Sequence, residues 1–395
     1  MFDHLQIYDR RERALVGVAD SALRFAAPIL RSGRRRPRAV PHRILLLRLE
    51  RIGDLVMTLE AIADVHQAAP AAEIDLVVGG WNVDLASRIR GIQRVERLDA
   101  SWLSRSESGL SSVEMLRRAR QWSCRGYDLA INFAPDIRGN LLLAASRIPR
   151  LAGFSSGGGG ALLDVALEYD PRTHTSMNAR RLVAAVLTTA ARAGPARLEL
   201  AAEERSRARQ ALAACRRPLV GVHVSGGREI KQWEPDRFAE VARRVARERG
   251  ATIVLTGTTI ERSLVDAVAS SLSGAPILNL SGELDVPTLA AVLEQLDVLV
   301  TGDTGPMHIA AAVGTPVVAV FGPSAPERYA PSGPDHCIVR VELPCSPCNR
   351  IRLPPARCMG HVPDCLNSVS AEMVSSAVRE MLDRRAVDSL ALRSC

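Results

Sequence analysis

Short aliphatic runs alternate with helical stretches of about 10–15 residues, and that alternation begins twice along the chain. The first series expects strands at Arg43–Arg48, Ile74–Val78, Asp128–Phe133 and Leu151–Phe154. Helical apolar spacing marks Leu55–His66, Ser112–Trp122, Arg138–Ser146 and Ser176–Ala193. The second series expects strands at Pro218–His223, Thr252–Thr256, Ile277–Leu280, Asp297–Thr301 and Pro316–Phe321. Its helices fall at Pro235–Arg249, Ile260–Ser271, Val286–Gln295 and Pro306–Val313. Strands separated by helices of this length form parallel sheets with right-handed crossovers. A chain of 395 residues also exceeds one ordinary core. The expectation is an α/β protein of two doubly wound domains facing an interdomain cleft. The first covers 43–195, the second 216–385, and Gly194–Arg217 holds the link. Ligands of such sheets bind beyond the strand carboxyl ends, so the loops there are the ones to search.

Charge narrows the function classes. The net charge is +8, but residues 1–43 hold ten arginines against four acidic residues, so the remainder is close to neutral. A nucleic-acid binder spreads basic charge over a folded face, and this chain does not. No run is long and apolar enough to span a bilayer, and the start lacks the order of a secretory signal, which points to the cytoplasm. Of the 51 basic residues only Lys231 is a lysine. Where arginine serves every generic need, a retained lysine suits a task requiring a compact, movable ammonium, although chance survival is the competing reading.

Three loops carry candidate chemistry. In LRLERIGDLVMT, at 47–58, Asp54 follows the first strand. It is either a helix N-cap or a carboxylate placed to accept a proton from an attacking hydroxyl. In GVHVSGGREIKQW, at 221–233, Ser225, Gly226 and Gly227 form a small-residue loop whose N–H groups could cradle phosphate, with Lys231 as a point charge. The spacing is not that of a P-loop. In VTGDTGPMHIAAAVGTPVVAVFGP, at 300–323, Asp303, Thr304 and Gly305 lead into a helix with Pro306 in its first turn, a ready anion site or simply a capped start. The first strand–helix turn lacks G-x-G-x-x-G, which disfavours a dinucleotide oxidoreductase.

Together these segments resemble glycosyltransferase family 9, the ADP-heptose:lipopolysaccharide heptosyltransferases. The resemblance runs from about Arg43 to Val378. It rests on RLERIGDLVMTLEAI at 48–62, GVHVSGGREIKQWEPDRFAEVA at 221–242, TGDTGPMHIAAAVGTPVVAVFGPSAPERY at 301–329 and the cysteines from 345 to 365. It implies a GT-B fold of two Rossmann-like domains and an inverting transfer that needs no metal or other cofactor. It also implies a nucleotide-sugar donor, ADP-heptose, and a lipid-linked envelope glycan as acceptor. By the family pattern Asp54 is the general base and Lys231 holds the donor diphosphate. Ser225, Gly226 and the Asp303–Gly305 loop contact diphosphate and sugar, and Glu261 is placed for the donor ribose. His308 is read as supporting. A same-fold enzyme using another nucleotide sugar, or a non-catalytic nucleotide-sugar binder, are the competing readings. The SGG loop departs from family members that place hydroxyl residues there.

Outside these loops, Cys345, Cys348, Cys358 and Cys365 are spaced like a metal knuckle. A structural zinc or iron, free thiols, or a disulfide are the readings left open. The resemblance adds that one branch of the family is associated with iron there. The basic start, 1–42, lies outside the shared pattern. Leu15, Val18, Ala22, Phe25, Ala26 and Ile29 recur at helical spacing ahead of RSGRRRPR, and Pro28 is expected to interrupt the helix. The segment reads as an interfacial helix on the inner membrane leaflet, a disordered arm, or a helix packed on the protein. Arg138 and His174 are acceptor-side candidates, with a surface arginine the competing reading of the first.

Overall fold

The computed structural model describes the chain apart from residues 1, 3, 8, 33, 35, 104–108, 189–194, 349–357, 359–361 and 394–395. It divides into two compact units, Met1–Ala196 and Arg197–Cys395. Each is built on one six-stranded sheet whose strands pair in parallel.

In the first unit the strands are β1 (Arg43–Arg48), β2 (Glu73–Val78), β3 (Arg94–Arg97), β4 (Leu129–Asn132), β5 (Arg150–Phe154) and β6 (Val165–Leu167), in the order β3-β2-β1-β4-β5-β6. The second unit repeats the plan with β7 (Leu219–His223), β8 (Thr252–Thr256), β9 (Ile277–Asn279), β10 (Val298–Gly302), β11 (Val317–Val320) and β12 (His336–Val339), in the order β12-β11-β10-β7-β8-β9. Both are the doubly wound order of a Rossmann-like domain, as a GT-B chain requires. Each sheet has a topological switch point, between β1 and β4 in one and between β7 and β10 in the other. The central strands are buried on both faces, which is why they read as unbroken aliphatic runs. In the second unit Trp233 and Phe238 meet edge to face, ring centroids 4.7 Å apart, inside a core of valine and leucine. Each such buried ring contributes about 1.5–3 kcal/mol.

Three edge strands, β3, β6 and β12, have no counterpart among the expected ones. They are half-exposed, so they lack the aliphatic run that marks a buried strand. The stretch expected to hold the link contains a helix, Ala202–Ala211, that packs on Val286–Gln295 and fixes Arg205 to Glu294 by paired hydrogen bonds of 2.8 and 2.9 Å. The helix expected over 176–193 runs Thr175–Val186, and 189–194 lie outside the described residues.

The basic start is a helix packed on the first unit. This helix, α1 (Arg10–Ser32), continues through Pro28 rather than stopping there. Contacts on its inner face hold it on both sides of the proline. Asp20, buried, accepts the Gly159 N–H at 2.7 Å, and Val16 lies against Gly158. Arg31 and Arg34 both reach Asp164, at 2.7 and 3.0 Å.

Candidate active site

At the first switch point, β1 ends on the buried Arg48. Its guanidinium donates to the Phe133 carbonyl at 2.7 Å and the Asp54 carbonyl at 3.1 Å, and lies 3.6 Å from the Asp54 carboxylate. The residue that caps the short helix Ile52–Val56 is Arg51, so Asp54 is not its N-cap. Asp54 instead occupies the third helical position, where its carboxylate accepts the Arg51 N–H at 3.2 Å and stays a quarter exposed. A partly solvated carboxylate in the helix just past a strand's carboxyl end can receive a proton from a group that approaches it from solvent.

Beside it lies a hollow walled by Glu50, Trp102, Asn132, Ala134 and Asp136. Asn132 and Asn140 brace the floor: Asn132 Nδ2 donates to Asn140 Oδ1 at 2.9 Å, and Asn140 Nδ2 donates to the Phe154 and Gly158 carbonyls. Arg138 stacks over Trp102 at 5.3 Å, but its charge is already engaged by Asp136 at 3.3 Å and by Glu12 of α1 at 2.6 Å. His174 belongs to another loop, after β6, where it caps the helix Thr175–Val186 by accepting the Ser176 N–H at 3.2 Å.

Glu50 was not a sequence candidate. Its Oε2 is buried without a hydrogen bond, 3.7 Å from Arg48. Burial pushes its pKa above the usual 4.5, Arg48 opposes this, and Asp54 and Asp136 add to the rise. The upward shift means that folding favours the protonated form relative to the unfolded chain. The associated stability is complete below the unfolded value and is lost as pH rises through the folded one. Glu50→Gln is therefore expected to melt above wild type at mildly alkaline pH, with the gap closing toward pH 4.5. Melting temperatures of both proteins across that range test it, and a gap independent of pH would rule out buried charge as the cause.

In the second unit the loops after β7 and β10 meet at the switch point. Lys231, in the turn Glu229–Lys231, donates from Nζ to the Asp303 carbonyl at 2.7 Å and to its carboxylate at 3.0 Å. Both side chains are largely buried, at 16% and 11% exposed. The helix Gly305–Val313 begins immediately beyond, with Pro306 in its first turn. Its N-cap, Thr304, makes no side-chain cap bond, and its hydroxyl pairs with Thr301 at 3.1 Å instead. A helix start with no side-chain cap leaves first-turn N–H groups of the kind that bind anions, here beside an ammonium already paired with a carboxylate.

The small-residue loop contributes less than its composition implies. Gly226 N–H donates to Gln232 Oε1 at 2.5 Å, and Gly227, at φ +64°, donates to Ser225 Oγ at 3.2 Å. Gly226 is needed for close approach, because a Cβ there would lie 2.8 Å from the backbone of Gln232. Glu261, after β8, accepts from the Thr258 N–H and hydroxyl at 2.8 and 2.9 Å. Burial alone would raise its pKa, but hydrogen bonds from Ser225 and Thr258, with His223 nearby, hold it below the usual range. Burial pushes the His223 pKa down, Glu261 opposes this, and the ring Nδ1 lies 3.1 Å from the Thr256 hydroxyl. His308 is buried within the Gly305–Val313 helix.

Cys345, Cys348, Cys358 and Cys365 are free, the first two exposed and Cys365 buried. Burial raises the Cys365 thiol, with Cys348 and Cys345 close enough to add to the effect. Among the described residues no group of three or more His, Cys, Asp or Glu side chains is arranged to hold a metal ion, so a structural zinc or iron is not supported. Residues 349–357 and 359–361 lie outside the described residues.

A family model described as glycosyltransferase family 9 (heptosyltransferase) matches residues 115–355, more than half of the chain. The chain belongs to glycosyltransferase family 9. Within the family's relatives, lipopolysaccharide heptosyltransferase 2 of Salmonella typhimurium is 24% identical over 314 residues, spanning 76% of this chain and 88% of the relative. Lipopolysaccharide heptosyltransferase 1 of Pseudomonas aeruginosa is 26% identical over 315 residues, 78% and 86% of the two chains. Among solved structures, a family 9 glycosyltransferase from Veillonella parvula superposes with a TM-score of 0.73 at 23% identity, covering 87% of this chain and 97% of that one. The ADP-heptose lps heptosyltransferase II of E. coli gives 0.72 at 19%, covering 87% and 99%. These superpositions establish the same fold, and the family match establishes a glycosyltransferase.

Proposed function

We propose that this glycosyltransferase moves heptose, with inversion, from ADP-heptose onto a lipopolysaccharide core or related lipid-linked envelope glycan on the cytoplasmic side of the inner membrane. The observation that carries the reading is Lys231 held against Asp303 at the start of the Gly305–Val313 helix. In this reading an acceptor hydroxyl attacks the anomeric carbon, its proton passes to Asp54, and the bond from that carbon to the diphosphate oxygen breaks to release ADP. Such a transfer passes through an oxocarbenium-like state, so a base is needed on one face and charge stabilisation on the other. Lys231 and the first-turn N–H groups near Thr304 and Gly305 supply the second, with Ser225 and Gly226 shaping the donor loop. Glu261, whose carboxyl is held below its usual range, is assigned to accept from the ribose hydroxyls. Arg138 and His174 serve the acceptor side only if α1 or the helix cap releases them. The cysteine cluster takes no part.

The test is ADP release from purified protein supplied with ADP-heptose, other nucleotide sugars and extracted core acceptors. Consumption of ADP-heptose, dependent on acceptor, is expected. Consumption of a different nucleotide sugar would keep the fold and overturn the donor assignment, and the absence of any donor binding would withdraw the catalytic roles.

A further inference from the structure

α1 has a buried face and, opposite it, an apolar stripe that the fold leaves uncovered. Gly17, Asp20 and Ala27 face the first unit and are buried. The uncovered stripe starts at Arg11 and runs through Leu15, Val18, Ala22, Phe25 and Ile29, positions separated by three or four residues and therefore on one side of the helix. These side chains stand in solvent: Leu15 is 73% exposed, Val18 63%, Phe25 87% and Ile29 77%. The helix cannot easily roll to hide them. Asp20 is fixed to Gly159, Glu12 to Arg138, and Arg31 and Arg34 to Asp164. Those bonds hold the stripe outward.

The charge around the stripe selects its occupant. Arg10 and Arg11 lie exposed at one end, and Arg36 and Arg38 lie exposed beyond the other. A second copy docking the same stripe about a two-fold axis would bring arginine ends together, which is repulsive. A surface that is negatively charged and apolar beneath satisfies both features at once. Among the described residues no helix is long and apolar enough to cross a membrane, so the contact is one that lies on a bilayer.

We propose that α1 is a membrane-docking element that seats the first unit on an anionic lipid bilayer, with Phe25 and Ile29 entering the acyl boundary and the flanking arginines among the headgroups. This rests on the proposed function only for the lipid-linked acceptor it would bring into reach; the docking surface is argued from α1 itself.

The experiment is sedimentation of the full chain with vesicles of phosphatidylcholine alone or mixed with phosphatidylglycerol. It compares wild type with the double variant Phe25→Glu/Ile29→Glu, and measures the mass of both proteins in solution without lipid. Binding to the anionic vesicles, weakened by salt and reduced at least about tenfold in the double variant, is the expected result. Both positions are solvent-exposed, so the variant should keep its fold, checked by an unchanged melting temperature. Equal binding by the two proteins, or no binding to anionic vesicles, would overturn the proposal. So would a wild-type dimer that the double variant abolishes, because the stripe would then be covered by a second copy. ADP release with a delipidated, soluble acceptor separates the two readings. The double variant should match wild type there, and a wild-type failure in that assay would count against the heptosyl transfer while leaving vesicle docking intact.

Discussion

Asp54→Asn is expected to cut acceptor-dependent ADP release by about 10²–10⁴-fold while leaving donor affinity unchanged. The substitution separates chemistry from architecture. An asparagine Oδ1 can still accept the Arg51 N–H that the carboxylate accepts now, and the Asp54 carbonyl still holds Arg48 and the Thr58 hydroxyl. What is lost is the 3.6 Å attraction to Arg48, at a partly exposed carboxylate, worth no more than about 1 kcal/mol. The ability to take a proton is lost entirely. A folded variant with intact donor binding and a collapsed turnover therefore assigns the base. Turnover within tenfold of wild type would move that role elsewhere, and Asp136 and Glu50 on the neighbouring hollow would be the next groups to replace.

The reach of sequence reasoning follows from what each feature depends on. Central strands were legible because burial on both faces forces an unbroken aliphatic run, as in RILLLR at β1 and LVGVH at β7. Asp54, Lys231 and Asp303 could be singled out as candidates because they belong to the segments that follow such strands. Tertiary contact decided the rest. That Gly226 spends its N–H on Gln232 cannot be read from SGG, which looks the same whether its donors are free or used. Arg138 looked available until Glu12, 126 residues earlier, was found bonded to it. Glu50 was passed over because a charged residue at a strand end is ordinary. Only the fold shows that its Oε2 is enclosed, though Arg48 and Glu50, two positions apart where an aliphatic strand ends, were a signal. For α1, the helical spacing was visible, but Pro28 argued for a stop. The buried Asp20 and the Asp164 pairs on either side of the proline outweigh one lost backbone bond.

Lys231→Ala is expected to lower kcat by roughly 10²–10³-fold, the scale seen when one preorganised donor to a developing charge is removed. The position is informative because the chain places arginine at every other basic site. In the structure the ammonium bonds both the carbonyl and the carboxylate of Asp303, which a compact head on a flexible stem can do while keeping a third N–H for a ligand. The planar fork of arginine is larger, and both side chains of this pair are largely buried. Lys231→Arg should therefore retain charge but recover only part of the rate. The alanine variant also strands a carboxylate that is 11% exposed, so a stability loss of about 1–3 kcal/mol is expected alongside the rate loss. Combining Lys231→Ala with Asp303→Asn separates these effects. The neutral amide no longer needs a cation, so melting temperature should return toward wild type. Because the diphosphate still lacks its positive partner, turnover should remain low. If the double variant regained turnover together with stability, Lys231 would be a clamp for the loop after β10, and the departing ADP would have to be stabilised by the helix start alone.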